Sequence, residues 1–209
     1  SQPHVMGIIN STPDSFYKKS RSTNSSFAIK KSNQMISDGA SIIDIGGASS
    51  RPGAKKISLE EEMQRVIPSI IDFKKNNLVT QISLDTRNLP TMKLGLKSGV
   101  DIFNDISGFA DHNKIKFVSK FNLPVIVMHM QNEPNNMQID PKYSFAPIDI
   151  YKILSKRVNL LIQMGVNKSN IVVDPGIGFG KNIYHNLEIL RNVSLFHSLG
   201  VPILIGLSR

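Results

Sequence analysis

Residues 171–181 read IVVDPGIGFGK, a short buried strand that stops on a carboxylate, Asp174, and runs into a loop with glycines at 176, 178 and 180. Aspartate is a poor strand former, so its place at a strand's end points to a task there rather than to packing. The same construction recurs outward along the chain. HVMGIIN ends on Asn10, SIIDIGG runs into SSRPG, QISLD ends on Asp85, and DIFND carries Asn104 and Asp105. PVIVMH ends on His129, and PILIG runs into Ser208 and Arg209. Seven strands are thus predicted, near 5–9, 42–46, 81–85, 101–105, 124–128, 171–174 and 202–206. Polar groups delivered at successive strand ends are what an α/β barrel presents as an active site.

Helical patterns separate most of these strands. Ser58 and Glu61 predict a capping box. Behind it Leu59, Met63, Val66, Ile67, Ile70 and Ile71 form an apolar stripe, with Pro68 placed to kink the helix. Ile150, Ile153, Leu154, Val158 and Leu161 mark a later helix, and Leu187, Leu190, Val193 and Phe196 another. Gly39, Gly99, Gly165 and Gly200 fit helix ends. Apolar strands without strict alternation, joined by crossover helices, make a parallel sheet covered by helices. The polar residues end strand after strand instead of gathering at one switch point, which favours a closed (β/α)8 TIM barrel over an open sheet. Such a barrel takes about 250 residues, so the expectation is a single barrel domain over 1–209, truncated before its eighth strand. Segments 11–24 and 130–146 are long and aperiodic, as covers or binding loops are.

Composition narrows the function classes. The 40% hydrophobic and 20% charged fractions are those of a globular protein. No apolar run nears the roughly 20 residues that span a bilayer, so no membrane role is expected. The start lacks a signal-peptide pattern, and the chain has no cysteine, which excludes disulfides and thiolate metal sites. A cytoplasmic location is the expectation. The net charge of +9 fits an anionic ligand or simply a lysine-rich surface. Scattered lysines without interleaved aromatics argue against a nucleic-acid partner.

The residues themselves leave alternatives. GIGFG is not a dinucleotide fingerprint, because it follows the sixth strand and no acidic strand end lies about 20 residues on. Asp174 can accept a bidentate pair of donors from an amidine-like heterocycle edge, or cap the next helix. Asp85 and Asn104 can bind a ligand at the same mouth or fix loops; Asp105 reads as structural. Asn10 can open a turn into TPDS. Arg51, aimed by Pro52-Gly53, suits a phosphate or carboxylate, or solvent. Lys181 reads as a helix-start lysine.

In order and spacing, NSTPDSF (10–16), GGASSRPG (46–53), DT (85–86), NDISG (104–108), MHMQ (128–131), DPGIGFGK (174–181) and IGLSR (205–209) resemble the dihydropteroate synthases over essentially the whole chain. The resemblance implies condensation of 4-aminobenzoate with 6-hydroxymethyl-7,8-dihydropterin pyrophosphate, giving 7,8-dihydropteroate and pyrophosphate in folate biosynthesis. Asp174, Asp85 and Arg51 would carry the reaction. The pterin would meet Asp85, Asn104, Asp174, Met128, Ser50 and Gly206, with His129 in support. Aminobenzoate would meet Phe16, Pro52, Phe179 and Ser208, and sulfonamides would compete there. Pyrophosphate would meet Asn10, Arg51 and Arg209, with Mg²⁺ held against it by Asn10. The family also implies a homodimer.

The chain departs from the family pattern at Tyr17–Ser20, where SDGG is usual, and at Ala48, where glutamate is usual. The lysine after Ser-Arg and a later Arg-x-His do not occur within it. A pterin-binding methyltransferase of the same barrel type has no use for TPDSF or SSRPG. A non-catalytic pterin-binding chain is the other alternative.

Overall fold

A computed structural model describes residues 3–11, 21–48, 57–76, 79–132 and 137–207, with the side chains of 21–27 excepted. They group into two compact units, one within residues 1–49 and 56–104 and the other within 105–209.

In the first unit, strands β1 (Met6–Asn10), β2 (Ile42–Gly46), β3 (Gln81–Asp85) and β4 (Ile102–Asp105, its last residue in the second unit) lie side by side in chain order. All run parallel. Their register brings Asn10 opposite Gly46, Gly46 opposite Asp85, and Asp85 opposite Asn104. Side chains alternate faces along a strand, so these four positions form one row on one face. Helices α1 (Arg21–Ser37), α2 (Leu59–Lys75) and α3 (Leu89–Lys97) cross between the strands. Ile43, Ile45, Val66, Ile70, Phe73, Ile82, Leu84 and Phe103 are buried in this unit. The Ser58 hydroxyl accepts the Glu61 amide at 3.1 Å, and three glutamates in the first turn with lysines in the last suit the helix dipole of α2.

The second unit holds α4 (His112–Lys120), β5 (Val125–Met128), α5 (Ala146–Gln163), β6 (Ile171–Asp174), α6 (Ile183–Arg191) and a 3-10 stretch, Val193–Leu199. β5 and β6 are parallel, with Met128 opposite Asp174.

Several expectations are corrected. The seventh strand is a single bridge, Val173 to Ile203. Pro202 accepts from the Val173 amide and Leu204 donates to the Val173 carbonyl, but Pro202 has no amide with which to extend the ladder. Residues 21–24, read as loop, begin α1, in keeping with the preference of serine, threonine and asparagine for helix starts. Only the Ser58 half of the capping box matches the reading, because the Glu61 carboxylate pairs with Arg65 at 2.5 Å. The reciprocal box forms instead on α6, between Asn182 and His185. Leu187 and Leu190 are exposed and Ile189 is buried, since the helix ends at Arg191 and the following residues turn with 3-10 pitch. Ile71 and Ile153 also face outward. The four stop glycines all have positive φ, as expected.

Candidate active site

The register row of the first unit ends on oxygen and amide groups. Asn10 is exposed, and Asp85 and Asn104 are half-buried. A Cβ built on Gly46 would stand 3.4 Å from Asp85 Oδ2 and 3.7 Å from Asn10 Oδ1, so the glycine leaves a gap between two oxygen donors. Two residues before Gly46, on the same face, Asp44 is buried and accepts from Asn104 Nδ2 at 3.2 Å. An acceptor-only carboxylate there turns the amide nitrogen of Asn104 inward and leaves its oxygen for other partners. Burial raises the Asp44 pKa, and Ser83 and Asn104 temper the rise. The Ser83 hydroxyl nevertheless falls short of hydrogen-bond geometry. Among the described residues, Asp44 Oδ1 and Ser83 Oγ have no hydrogen-bond partner.

Beneath the row, Glu62 of α2 is buried and receives Thr86 Oγ1 at 2.8 Å, Asn88 Nδ2 at 2.9 Å and Thr91 Oγ1 at 2.6 Å. This ties the segment that follows Asp85 to α2. Arg65 fastens the β2 end in the same way, through the Gly47 carbonyl at 2.9 Å.

In the second unit, Asp174 is buried and accepts from the Gly176 amide at 2.7 Å. Burial pushes its pKa up to about 6, against the Gly176 bond and the nearby Lys181 charge. Lys181 is 2% exposed, and burial lowers its pKa to about 7. Its Nζ donates to the Phe179 carbonyl at 2.7 Å and the His129 carbonyl at 3.3 Å, and lies 3.1 Å from His129 Nδ1. Burial and that ammonium lower the His129 pKa to about 3, so the ring is neutral at pH 7. Asp105 is fully buried against Lys114, a close ion pair that also takes in Ser107. Its structural reading holds.

Two glycines of the 176–180 loop let the backbone approach other backbone. At Gly176, φ +70°, a Cβ would meet the His129 carbonyl oxygen at 2.0 Å. At Gly180, φ +62°, it would meet the Gln131 carbonyl oxygen at 2.7 Å. Among the described residues, no atom stands within 4 Å of a Cβ built on Gly178. Segment 137–145 docks on the same loop, with Gln138 donating to the Gly178 carbonyl and Tyr143 to the Gly180 carbonyl.

Asn10, Asp85 and Asn104 therefore share one row, while Asp174, Met128, His129 and Phe179 cluster in the second unit. Met128 is buried and Gly206 half-exposed. Phe16, Ser50, Arg51, Pro52, Ser208 and Arg209 lie outside the described residues. Lys181 is corrected from a helix-start residue to a buried anchor, because Asn182 caps α6 instead. Asp44, Glu62 and Lys181 carry roles that the motifs did not assign. The available signal was a charge set among apolar neighbours, as in IIDIG.

Known proteins place this architecture. The family described as pterin binding enzyme matches residues 6–209. A dihydropteroate synthase of Escherichia coli (strain K12) is 40% identical over 209 residues, spanning 100% of this chain and 74% of the relative. A Yersinia pestis dihydropteroate synthase in complex with a sulfonamide drug superposes with TM-score 0.90 and 36% identity, covering 99% of this chain and 74% of that one. A Xanthomonas albilineans dihydropteroate synthase with 4-aminobenzoic acid superposes with TM-score 0.90 and 33% identity, covering 99% and 73%. The chain belongs to the pterin-binding enzymes, and among them to the dihydropteroate synthase family. Its fold is α/β with parallel strands, part of a TIM barrel.

Proposed function

We infer that the row Asn10–Gly46–Asp85–Asn104 is the working face of the first unit in the family's reaction, and Asp174 its counterpart in the second. The chain is a transferase that condenses 4-aminobenzoate with 6-hydroxymethyl-7,8-dihydropterin pyrophosphate, yielding 7,8-dihydropteroate and pyrophosphate in folate biosynthesis. The observation that carries the site assignment is the register, which sets an amide and a carboxylate side by side at consecutive strand ends.

Asp85 and Asp174 accept from the ring's N–H and amino groups, and Asn104, oriented by Asp44, offers its oxygen. Holding the ring fixes the methylene carbon before the amine, which supplies several kcal/mol through orientation alone. The amine nitrogen bonds to that carbon as the carbon–oxygen bond to pyrophosphate breaks, its electron pair leaving with pyrophosphate, and the amine then loses a proton. Enclosed His129, whose pKa burial and Lys181 lower to about 3, is too weak a base to take that proton. Phe179 belongs to the aminobenzoate wall, with Phe16, Pro52 and Ser208. Met128, Ser50 and Gly206 complete the pterin contacts, and Arg51 and Arg209 those of pyrophosphate.

The residues present fit a magnesium ion that takes most of its ligands from substrate and water. Asn10 and Asp85 offer hard oxygens about the Gly46 gap, and no group of three or more His, Cys, Asp or Glu occurs among the described residues to form a protein cage. Asn10 would hold it, and when bound it supplies charge neutralisation on the departing pyrophosphate. No helix among the described residues is long and apolar enough to cross a membrane. The likeness over nearly the whole chain supports one barrel domain over 1–209, and family membership supports a cytoplasmic homodimer.

Asp85→Ala and Asp174→Ala test the assignment by calorimetry with a pterin analogue, beside a melting curve. Each is expected to cost roughly 2–5 kcal/mol of binding in a folded protein. Unchanged affinity in both removes the assignment.

A further inference from the structure

Lys181 closes the glycine loop, yet the reaction as read above gives it no part. Its side chain turns back under the loop instead of outward. The ammonium holds the Phe179 carbonyl at 2.7 Å and contacts His129 at both its carbonyl, 3.3 Å, and Nδ1, 3.1 Å. It also sits beneath Gly176, 3.3 Å from where a Cβ would be, and the Gly176 amide is the group that Asp174 accepts. One buried cation thus touches the carbonyl of an aminobenzoate-wall residue and the end of β5 beside Met128, and lies under the turn that caps the pterin carboxylate. Burying an ammonium costs several kcal/mol unless its partners compensate. A methionine would fill the same space without that cost, so packing alone does not account for a lysine.

We propose that Lys181 is a positioning residue that couples the two substrate subsites, holding the Phe179 wall in register with Asp174 and the β5 end. This rests on the assignment of Asp174 and Phe179 made above. The single ammonium spans both subsites, so ordering one by ligand fixes the anchor of the other. The second ligand then meets less conformational entropy to lose. The charge has a further effect, since it opposes the rise that burial imposes on Asp174. The other groups facing this pair within the unit are His129 from the end of β5, Tyr143 before α5 and His185 of α6, the last two stacked edge to face. His129 is neutral, and burial followed by Asp149 raises the Tyr143 pKa, so that phenol is protonated.

The chain has no cysteine, so Lys181→Cys can be aminoethylated in the unfolded state and refolded, restoring an ammonium on a side chain of lysine's length. Lys181→Met removes the charge and the hydrogen bonds; Lys181→Gln keeps a donor without the charge and serves if the methionine variant does not fold. Calorimetry reads three quantities: affinity for a pterin analogue, its pH dependence, and the gain in sulfonamide affinity when pyrophosphate, magnesium and the analogue are present. Lys181→Met is expected to weaken the analogue about tenfold at neutral pH. The acid-side loss of binding should move up by about half a pH unit. The gain that one ligand confers on the other should shrink about fivefold. Aminoethylation should restore all three, and Lys181→Gln should keep part of the coupling but show the full pH displacement. Native-like binding, pH profile and coupling in the charge-free variants, with only a lower melting temperature, would overturn the proposal. If Asp174→Ala also leaves the analogue's affinity unchanged, the site assignment falls with it; if Asp174→Ala weakens binding, only the role of Lys181 falls.

Discussion

Glu62 and Asp174 are both buried carboxylates next to strand ends, but their surroundings are built from different chemistry. Three neutral donors, Thr86, Asn88 and Thr91, close around Glu62. Asp174 has one backbone amide and a neighbouring ammonium that is itself buried. The donors of Glu62 do not titrate, whereas the support of Asp174 does. The Glu62 network is therefore set by neutral donors, whereas the support of Asp174 depends on a titratable neighbour.

The contrast breaks most severely at Gly176. Gly176→Ala puts a methyl 2.0 Å from the His129 carbonyl at a left-handed φ. It should cost about 3–5 kcal/mol, read by chemical denaturation, with loss of pterin-analogue binding. Glu62→Ala strips two buried hydroxyls, Thr86 and Thr91, and the Asn88 amide of their acceptor and should cost about 2–4 kcal/mol, read by chemical denaturation.

Asp174→Asn tests the other carboxylate. The folded pKa lies above the ordinary 3.8, so the carboxylate penalises folding above about pH 6, and the penalty is relieved as pH falls toward 3.8. The asparagine variant should be more stable than the native chain by about 1 kcal/mol near neutral pH, where Lys181 loses its counter-charge and limits the gain. Its advantage should vanish by about pH 4, and it should bind the pterin analogue poorly throughout. Smallest are the caps. Ser58→Ala and Asn182→Ala should each cost about 0.5–1 kcal/mol, the second more, because Asn182 shares a reciprocal box with His185.

The first six strands were legible because each is a short apolar run, most of them stopped by a polar residue, and the ends at Asn10, Asp85 and Asp174 agree with the reading. Ile203 was not, since a run such as PILIG has the composition of a strand whether or not partners extend its ladder. The helix face of α6 was misread because Leu187, Leu190, Val193 and Phe196 keep helical spacing across Asn192, where the pitch changes. Glu62 looked like one of three acidic residues in a first turn. Its burial depends on Thr86, Asn88 and Thr91, 24 to 29 residues away. Lys181 was hidden for a similar reason, as sequence spacing does not show a side chain folding back to residue 129.

Gly46 bears on how such a chain can drift under selection. Its φ is not among the positive ones, and a methyl there would meet Asp85 and Asn10 oxygens at ordinary contact distances of 3.4 and 3.7 Å. An alanine is thus compatible with the fold while filling the notch between the two oxygens. On the site proposed above, a lineage relieved of catalysis could accumulate that change without losing the protein, whereas one still making dihydropteroate would purge it. On that reading, position 46 is a place where inheritance records whether the chemistry is still in use.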